Sequence, residues 1–187
     1  MIIIGGGNHF RDIEAIAHRC HIYNLTVYDD DYTTGWPLPP GIIPGPLMIG
    51  INEPSLRRDI AKRYFNVRGT APLIDPTALI GANVHCGHGT VIGPMASLLH
   101  SVTLGDHVHV NTLAQMVRAN VGDFTTISPG AAICGNVEIG EACTIGANAT
   151  ICERVQIGND VTVAAAAVVP PYSIVPDKTK VIGVFRK

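Results

Sequence analysis

From Ile74 to Val169 the chain follows one pattern: an aliphatic or small apolar residue returns every sixth position. The first run is Ile74, Ile80, Cys86, Ile92, Leu98, Leu104, Val110 and Met116. The second is Val121, Ile127, Ile133, Ile139, Ile145, Ile151, Ile157, Val163 and Val169. Four places after most of these beats stands a small or β-branched residue, as at Ala78, Val84, Thr90, Ala96, Val102, Val108 and Ala114, and again from Ala131 to Ala167. Glycine recurs one place after a beat, as at Gly81, Gly93, Gly122, Gly146 and Gly158. Tight corners need that permissive backbone. An amphipathic helix would repeat about every 3.6 residues and is excluded. The period of six predicts a β-solenoid over 72–170, with three hexapeptides closing one coil of about eighteen residues. Handedness does not follow from the period alone.

The rhythm slips once. Met116 and Val121 are five apart, so one residue is missing. Counting forward from Met116 puts Val117 and Arg118 in the next two slots and Ala119 in the small inward position. The deletion is therefore expected at the corner just after Arg118.

Residues 1–68 follow another pattern. "MIII" reads as a short buried strand and "RDIEAIAHRC" as a helix with Ile13, Ile16 and Ala17 on one face. "LTVYDDD" and "LMIGIN" read as further strands. "EPSLRRDIAKRYF" reads as a second helix with Pro54 in its first turn. "TTGWPLPPGIIPGP" is too rich in Pro and Gly for regular structure. This order predicts a small α/β domain with a parallel sheet over 1–68, followed by the solenoid over 69–187.

Composition narrows the function classes. With 47% apolar and 15% charged residues and a formal charge of −2, the chain does not advertise nucleic-acid binding. No segment is long and apolar enough to span a membrane. Five cysteines with no CxxC pair suit a reduced, cytoplasmic chain. No metal is expected, and no Ser-His-Asp, Walker or HExxH arrangement is present. "GGGNHF", between a strand and a helix start, can bring backbone N–H groups to a phosphate. Asp29 or Asp30, at a strand end, can accept from a ribose or base.

Taken together, "IIGGGNHF", "VYDDD", "IGINEPSLRRDIAKRY", "VNT", "GDFTTISPGAAICGNVEIGEACTIGANATI" and the closing "VIG" resemble the left-handed β-helix sugar-nucleotide N-acetyltransferases. These are the bacillosamine and perosamine type and the related sialic acid O-acetyltransferases. The resemblance implies a small Rossmann-like N-terminal domain before a left-handed parallel β-helix. It implies a homotrimer, acetyl-CoA as co-substrate in the groove between neighbouring solenoids, and a nucleotide sugar as acceptor. Gly7, Asn8, His9, Asp29, Asp30 and Asn52 would form the nucleotide pocket. Ala147 and Ala165 would contact the pantetheine arm.

The same resemblance places the chemistry at the slip. Asn111 and Thr112 match the family's "NT". The family's catalytic histidine maps to Arg118, its acidic partner to the missing residue, and a second histidine, facing the thioester, to Thr126. Arginine stays protonated and cannot act as a base. One coil beneath these positions stand His100, expected in a column with Arg118, and His109, expected outward beneath Thr126. His85, His88 and His107 are expected at the surface. Three readings stay open: a base relocated to His100, unassisted attack by the substrate amine, and a homologue that binds without turnover. An O-acetyltransferase is a further alternative.

Overall fold

A computed structural model of the chain describes residues 1–29, 47–64 and 70–186. Asp30 and the Pro- and Gly-rich run lie outside the described residues. The first part holds β1 (Ile2–Ile4), α1 (Asn8–Arg19), β2 (Thr26–Tyr28), β3 (Leu47–Ile49) and α2 (Pro54–Tyr64). β1 is the central strand and pairs in parallel with β2 on one side and β3 on the other. α1 begins three residues before the expected "RDIEAIAHRC" and buries Phe10, Ile13, Ile16 and Ala17. That spacing is one face of a helix.

The remainder is a parallel β-solenoid built from stacked short strands. One face shows the register plainly. Leu73–Ile74 pairs with Val91–Ile92, then His109–Val110, Thr126–Ile127, Thr144–Ile145, Thr162–Val163 and Lys180–Val181. Successive strands are eighteen residues apart, except that His109 pairs with Thr126 at seventeen. The other two faces share the long strand Ser97–Leu104. Its first half pairs with Gln115–Met116 and its second half with Ala119–Val121. The expected beats from Ile92 to Val169 are all buried. Ile80, in the first coil, is 37% exposed because no coil lies beneath it to cover it. The rhythm also outlasts its expected end, with Val175 and Val181 buried as two further beats.

Corner conformations relocate the slip. A left-handed residue marks each corner: Met95, Ser101, His107, Leu113, then Arg118, Phe124, Gly130 and Asn136. The step from Leu113 to Arg118 is five; the other steps in this stretch are six. Arg118 (φ 43°) therefore takes the slot of Ser101 (φ 51°), and its N–H donates to the His100 carbonyl at 2.9 Å. The missing residue precedes Arg118 rather than following it, and the empty slot is the one that His100 fills a coil below. Arg118 folds its guanidinium over Gly135, where an added Cβ would lie 2.6 Å from Nη2.

The first part docks on the solenoid face that begins at Leu73. Leu73 and Val91 belong to the apolar cluster formed with Phe10, Ile13, Ile16 and Met48. Arg19 forms an ion pair with buried Asp75, and Cys20 Sγ donates to the Ile74 carbonyl at 3.1 Å.

Two glycines should separate backbone fit from side-chain fit. A methyl at Gly81 collides with the Leu99 carbonyl of the next coil, whereas a methyl at Gly135 meets only the movable end of Arg118. Gly81→Ala should cost about 1–3 kcal/mol or more, and Gly135→Ala less than half as much. Denaturant midpoints of the two variants measure the difference.

Candidate functional site

Two cavities meet at the start of α1. The larger, about 460 Å³, opens beyond the carboxyl ends of β1 and β3 and is lined by Gly5, Gly6, Gly7, Asn8, His9, Asp29, Ile51, Asn52 and Glu53, among others. Five of the six residues expected around a nucleotide, Gly7, Asn8, His9, Asp29 and Asn52, thus share one cleft. The sixth, Asp30, lies outside the described residues. Gly5 adopts φ +97°, a left-handed turn that leads the chain from β1 towards α1. Among the described residues, Gly7 caps α1 with no side-chain hydrogen bond, and nothing lies within 4 Å of where its Cβ would be. The first turn of α1 therefore offers uncapped N–H groups to the cleft.

The smaller cavity, about 160 Å³, lies between α1 and the solenoid. His9, Asp12, His109, Asn111, Thr112 and Pro129 are among its lining residues. His9 forms part of both cavities.

Between them and the solenoid lies a buried polar cluster centred on Arg57, which is fully buried in α2. Its Nε donates to the His107 carbonyl at 2.9 Å. Nη1 reaches the Ile51 carbonyl at 2.6 Å, the Asn52 carbonyl at 3.1 Å and His109 Nδ1 at 3.3 Å. Nη2 donates to the Phe124 carbonyl and to Thr126 Oγ1 at 2.9 Å. Burial pushes Arg57 down to about 9, so it keeps its charge at neutral pH. His9 Nε2 lies 2.8 Å from His109 Nδ1. Burial, and then the Arg57 charge, lower the pKa of both His9 and His109 below 6.5. Burial pushes His107 down to about 4, and its ring stacks on Phe124 with centroids 5.5 Å apart.

Several sequence expectations change here. His109 does stand beneath Thr126, but it is buried rather than outward, because α1 and α2 cover that face. His107 is also buried, not at the surface. Thr126 has no exposed surface. Its hydroxyl accepts from Arg57 and donates to the Asn52 carbonyl at 2.9 Å, so it is committed to the joint between α2 and the solenoid. Asn111 lines the small cavity and donates to the Ile127 carbonyl at 3.1 Å. Arg118 and His100 line neither cavity. Arg118 borders a shallow groove with Ser101, Thr103, Asn120, Asn136 and Glu138, to which His100 does not contribute. The expected His100–Arg118 column therefore fails, because the missing residue moves Arg118 onto the Ser101 corner. Ala147 and Ala165 meet at one corner further along the solenoid, where Ala166 N–H donates to the Ala147 carbonyl at 2.8 Å. Sequence reasoning missed Arg57 altogether. An arginine inside an amphipathic helix carries no sign that it will be buried.

The bacterial transferase hexapeptide family (six repeats) matches residues 118–153 and 139–171. No curated protein matches the chain. Among solved structures, the acetyltransferase domain of PglB from Neisseria gonorrhoeae is 26% identical, with TM-score 0.85 over 96% of this chain and 94% of that one. The same domain is similar in its complex with acetyl coenzyme A. Perosamine N-acetyltransferase from Caulobacter crescentus, in complex with CoA and GDP-perosamine, is 24% identical, with TM-score 0.84 over 97% of this chain and 92% of that one. WeeI from Acinetobacter baumannii is 21% identical, with TM-score 0.80 over 98% of this chain and 96% of that one. The resemblance read from the sequence is thus met in the fold along nearly the whole chain.

Two stability experiments follow from the cluster. Arg57→Met should cost about 2–4 kcal/mol in a denaturant titration, since it leaves buried carbonyls and Thr126 without their donor. Acid should act on the same joint. His9, His107 and His109 bind protons more weakly folded than unfolded, so stability holds above pH 6.5 and falls as pH drops below it. For His107 the loss should run from pH 6.5 to about 4 and then level off, at up to about 1.4 kcal/mol per pH unit. Replacing His107 with Phe should flatten that part of the curve.

Proposed function

We propose, for a chain carrying bacterial transferase hexapeptide repeats, that it transfers an acetyl group from acetyl-CoA to the amino group of a nucleotide-linked sugar. In this reading residues 1–68 form a Rossmann-like nucleotide-sugar domain and 69–187 a left-handed β-helix acyltransferase domain. The chain acts as a cytoplasmic homotrimer. The observation that carries the reading is the larger cleft. It lies beyond the carboxyl ends of parallel strands, where open α/β sheets bind ligands, and it gathers Gly7, Asn8, His9, Asp29 and Asn52. Its volume of about 460 Å³ falls within the ~300–1,000 Å³ usual for small-molecule sites. Uncapped N–H groups at α1 would take the phosphates, and Asp29 and Asn52 the base or ribose. The relatives solved with CoA, acetyl coenzyme A and GDP-perosamine support the same pairing of substrates. The corner at Ala147 and Ala165 would take the pantetheine arm. Arg118 and His100 line neither cavity and would meet substrate only where a neighbouring protomer closes over the solenoid surface.

A second reading, binding without turnover, is favoured by one feature: the slot of the family's catalytic histidine is missing from the coil that ends at Arg118. One experiment separates the two. The protein is mixed with acetyl-CoA and a panel of nucleotide amino sugars, and free thiol is followed. The transfer reading expects thiol release with at least one sugar and a trimer by sedimentation. Sugar binding with no thiol release from any member of the panel would establish the second reading.

A further inference from the structure

We propose that His9, backed by Asp12 and held by His109, takes the proton from the acceptor amine, and that the small cavity beside it receives the reacting end of the sugar. The proposal rests on the transfer reaction above and locates its chemistry. His9 is the wall common to both cavities. A nucleotide in the larger one leads past His9 into the smaller. At about 160 Å³ the smaller has room for roughly five waters at ~30 Å³ each, enough for a small ring and not for a nucleotide.

The proton positions follow from the donors. Arg57 can only donate, and its Nη1 reaches His109 Nδ1. A proton on that nitrogen would face the Arg57 donor, so we assign it as the acceptor and His9 as the donor to it through Nε2–H. Neutral His9 is left with a lone pair on Nδ1, 3.6 Å from Asp12 Oδ2. Once Nδ1 gains a proton, the Asp12 carboxylate faces an imidazolium. A base held through its far nitrogen by a second ring, with a carboxylate near the nitrogen that gains the proton, suits general-base catalysis. His109, for its part, carries its proton on Nε2, and this buried N–H has no partner among the described residues. A buried donor without an acceptor is costly. A substrate oxygen in the cavity that His109 lines would supply one.

The step balances. The neutral amine nitrogen attacks the thioester carbonyl carbon, forming the C–N bond as the C–S bond breaks. The amine proton passes to His9 Nδ1 and then to the departing CoA sulfur, which leaves as free thiol. His9 is the catalytic residue; His109 positions it, and Asp12 stabilises its protonated form.

The test uses the full-length protein and the amino sugar found active in the thiol-release panel. His9→Gln should lower kcat by about 10²–10⁴-fold, far more than it weakens binding of the bare nucleoside diphosphate measured by calorimetry, because His9 also lines the larger cleft. Asp12 is exposed, so Asp12→Asn should fold normally. It should lower kcat and move the acid limb of the kcat/KM profile to lower pH, because the carboxylate raises the His9 pKa. A purely structural Asp12 would leave that limb in place. Full turnover by His9→Gln, or an unmoved limb in Asp12→Asn, overturns the proposal and leaves the transfer reading standing. A drop of 10²-fold or more in His100→Ala, with His9→Gln unaffected, would put the proton acceptor at the solenoid corner instead. Absence of thiol release from the unaltered protein would remove both this proposal and the reading beneath it.

Discussion

Each coil of the solenoid gives its backbone N–H and C=O groups to the coils on either side, and this ladder governs everything built on it. Buried peptide groups must be paired. A coil cannot change length on a face without breaking a row of bonds. It can change only at a corner, where the chain already turns through a left-handed residue. The chain obeys that rule at its one irregularity. The corner at Arg118 follows the corner at Leu113 by five residues, yet Met116 and Val121 both remain buried and both paired with the coil below. The cost falls on an outward slot. The loss is therefore chemical rather than structural: a side chain that would stand over His100 does not exist.

A second constraint joins the two parts of the chain. The face running through Leu73, Val91, His109 and Thr126 is apolar at its start and polar further on. α1 covers the apolar portion with aliphatic side chains. α2 meets the polar portion with a single guanidinium that spans the coils of His107 and Phe124. Burying that charge without a carboxylate partner among the described residues requires acceptors on several sides, and the Ile51, Asn52, His107 and Phe124 carbonyls provide them. The same guanidinium reaches His109 Nδ1, which in turn lies 2.8 Å from His9 Nε2. Docking of α2 and the surroundings of both histidines thus depend on one buried group. Acid works against both at once.

Five residues that the resemblance grouped, Gly7, Asn8, His9, Asp29 and Asn52, line the larger cleft. Glycines after a first strand, an asparagine and a histidine at a helix start, and an acid after a second strand occupy positions that a parallel sheet brings to one edge. Histidine chemistry was not legible. His9 and His109 are one hundred residues apart, and no local pattern links them. His109 alternates with buried Val110 in its strand, which marks it as outward from the solenoid. That inference was sound for an isolated solenoid and failed because another element covers the face.

The hexapeptide period alone determined the solenoid, its inward residues and the presence of one missing position. Those properties are local and repeat at every turn, so they are written in the spacing of residues near in sequence. Where the missing position falls was decided by the backbone at Arg118, because counting residues cannot say which slot takes the left-handed conformation. Which polar residues became buried, and which histidine met which, was decided by how α1 and α2 pack on one face. That packing depends on shape and hydrogen bonds between segments far apart in the chain, and periodicity carries no record of them.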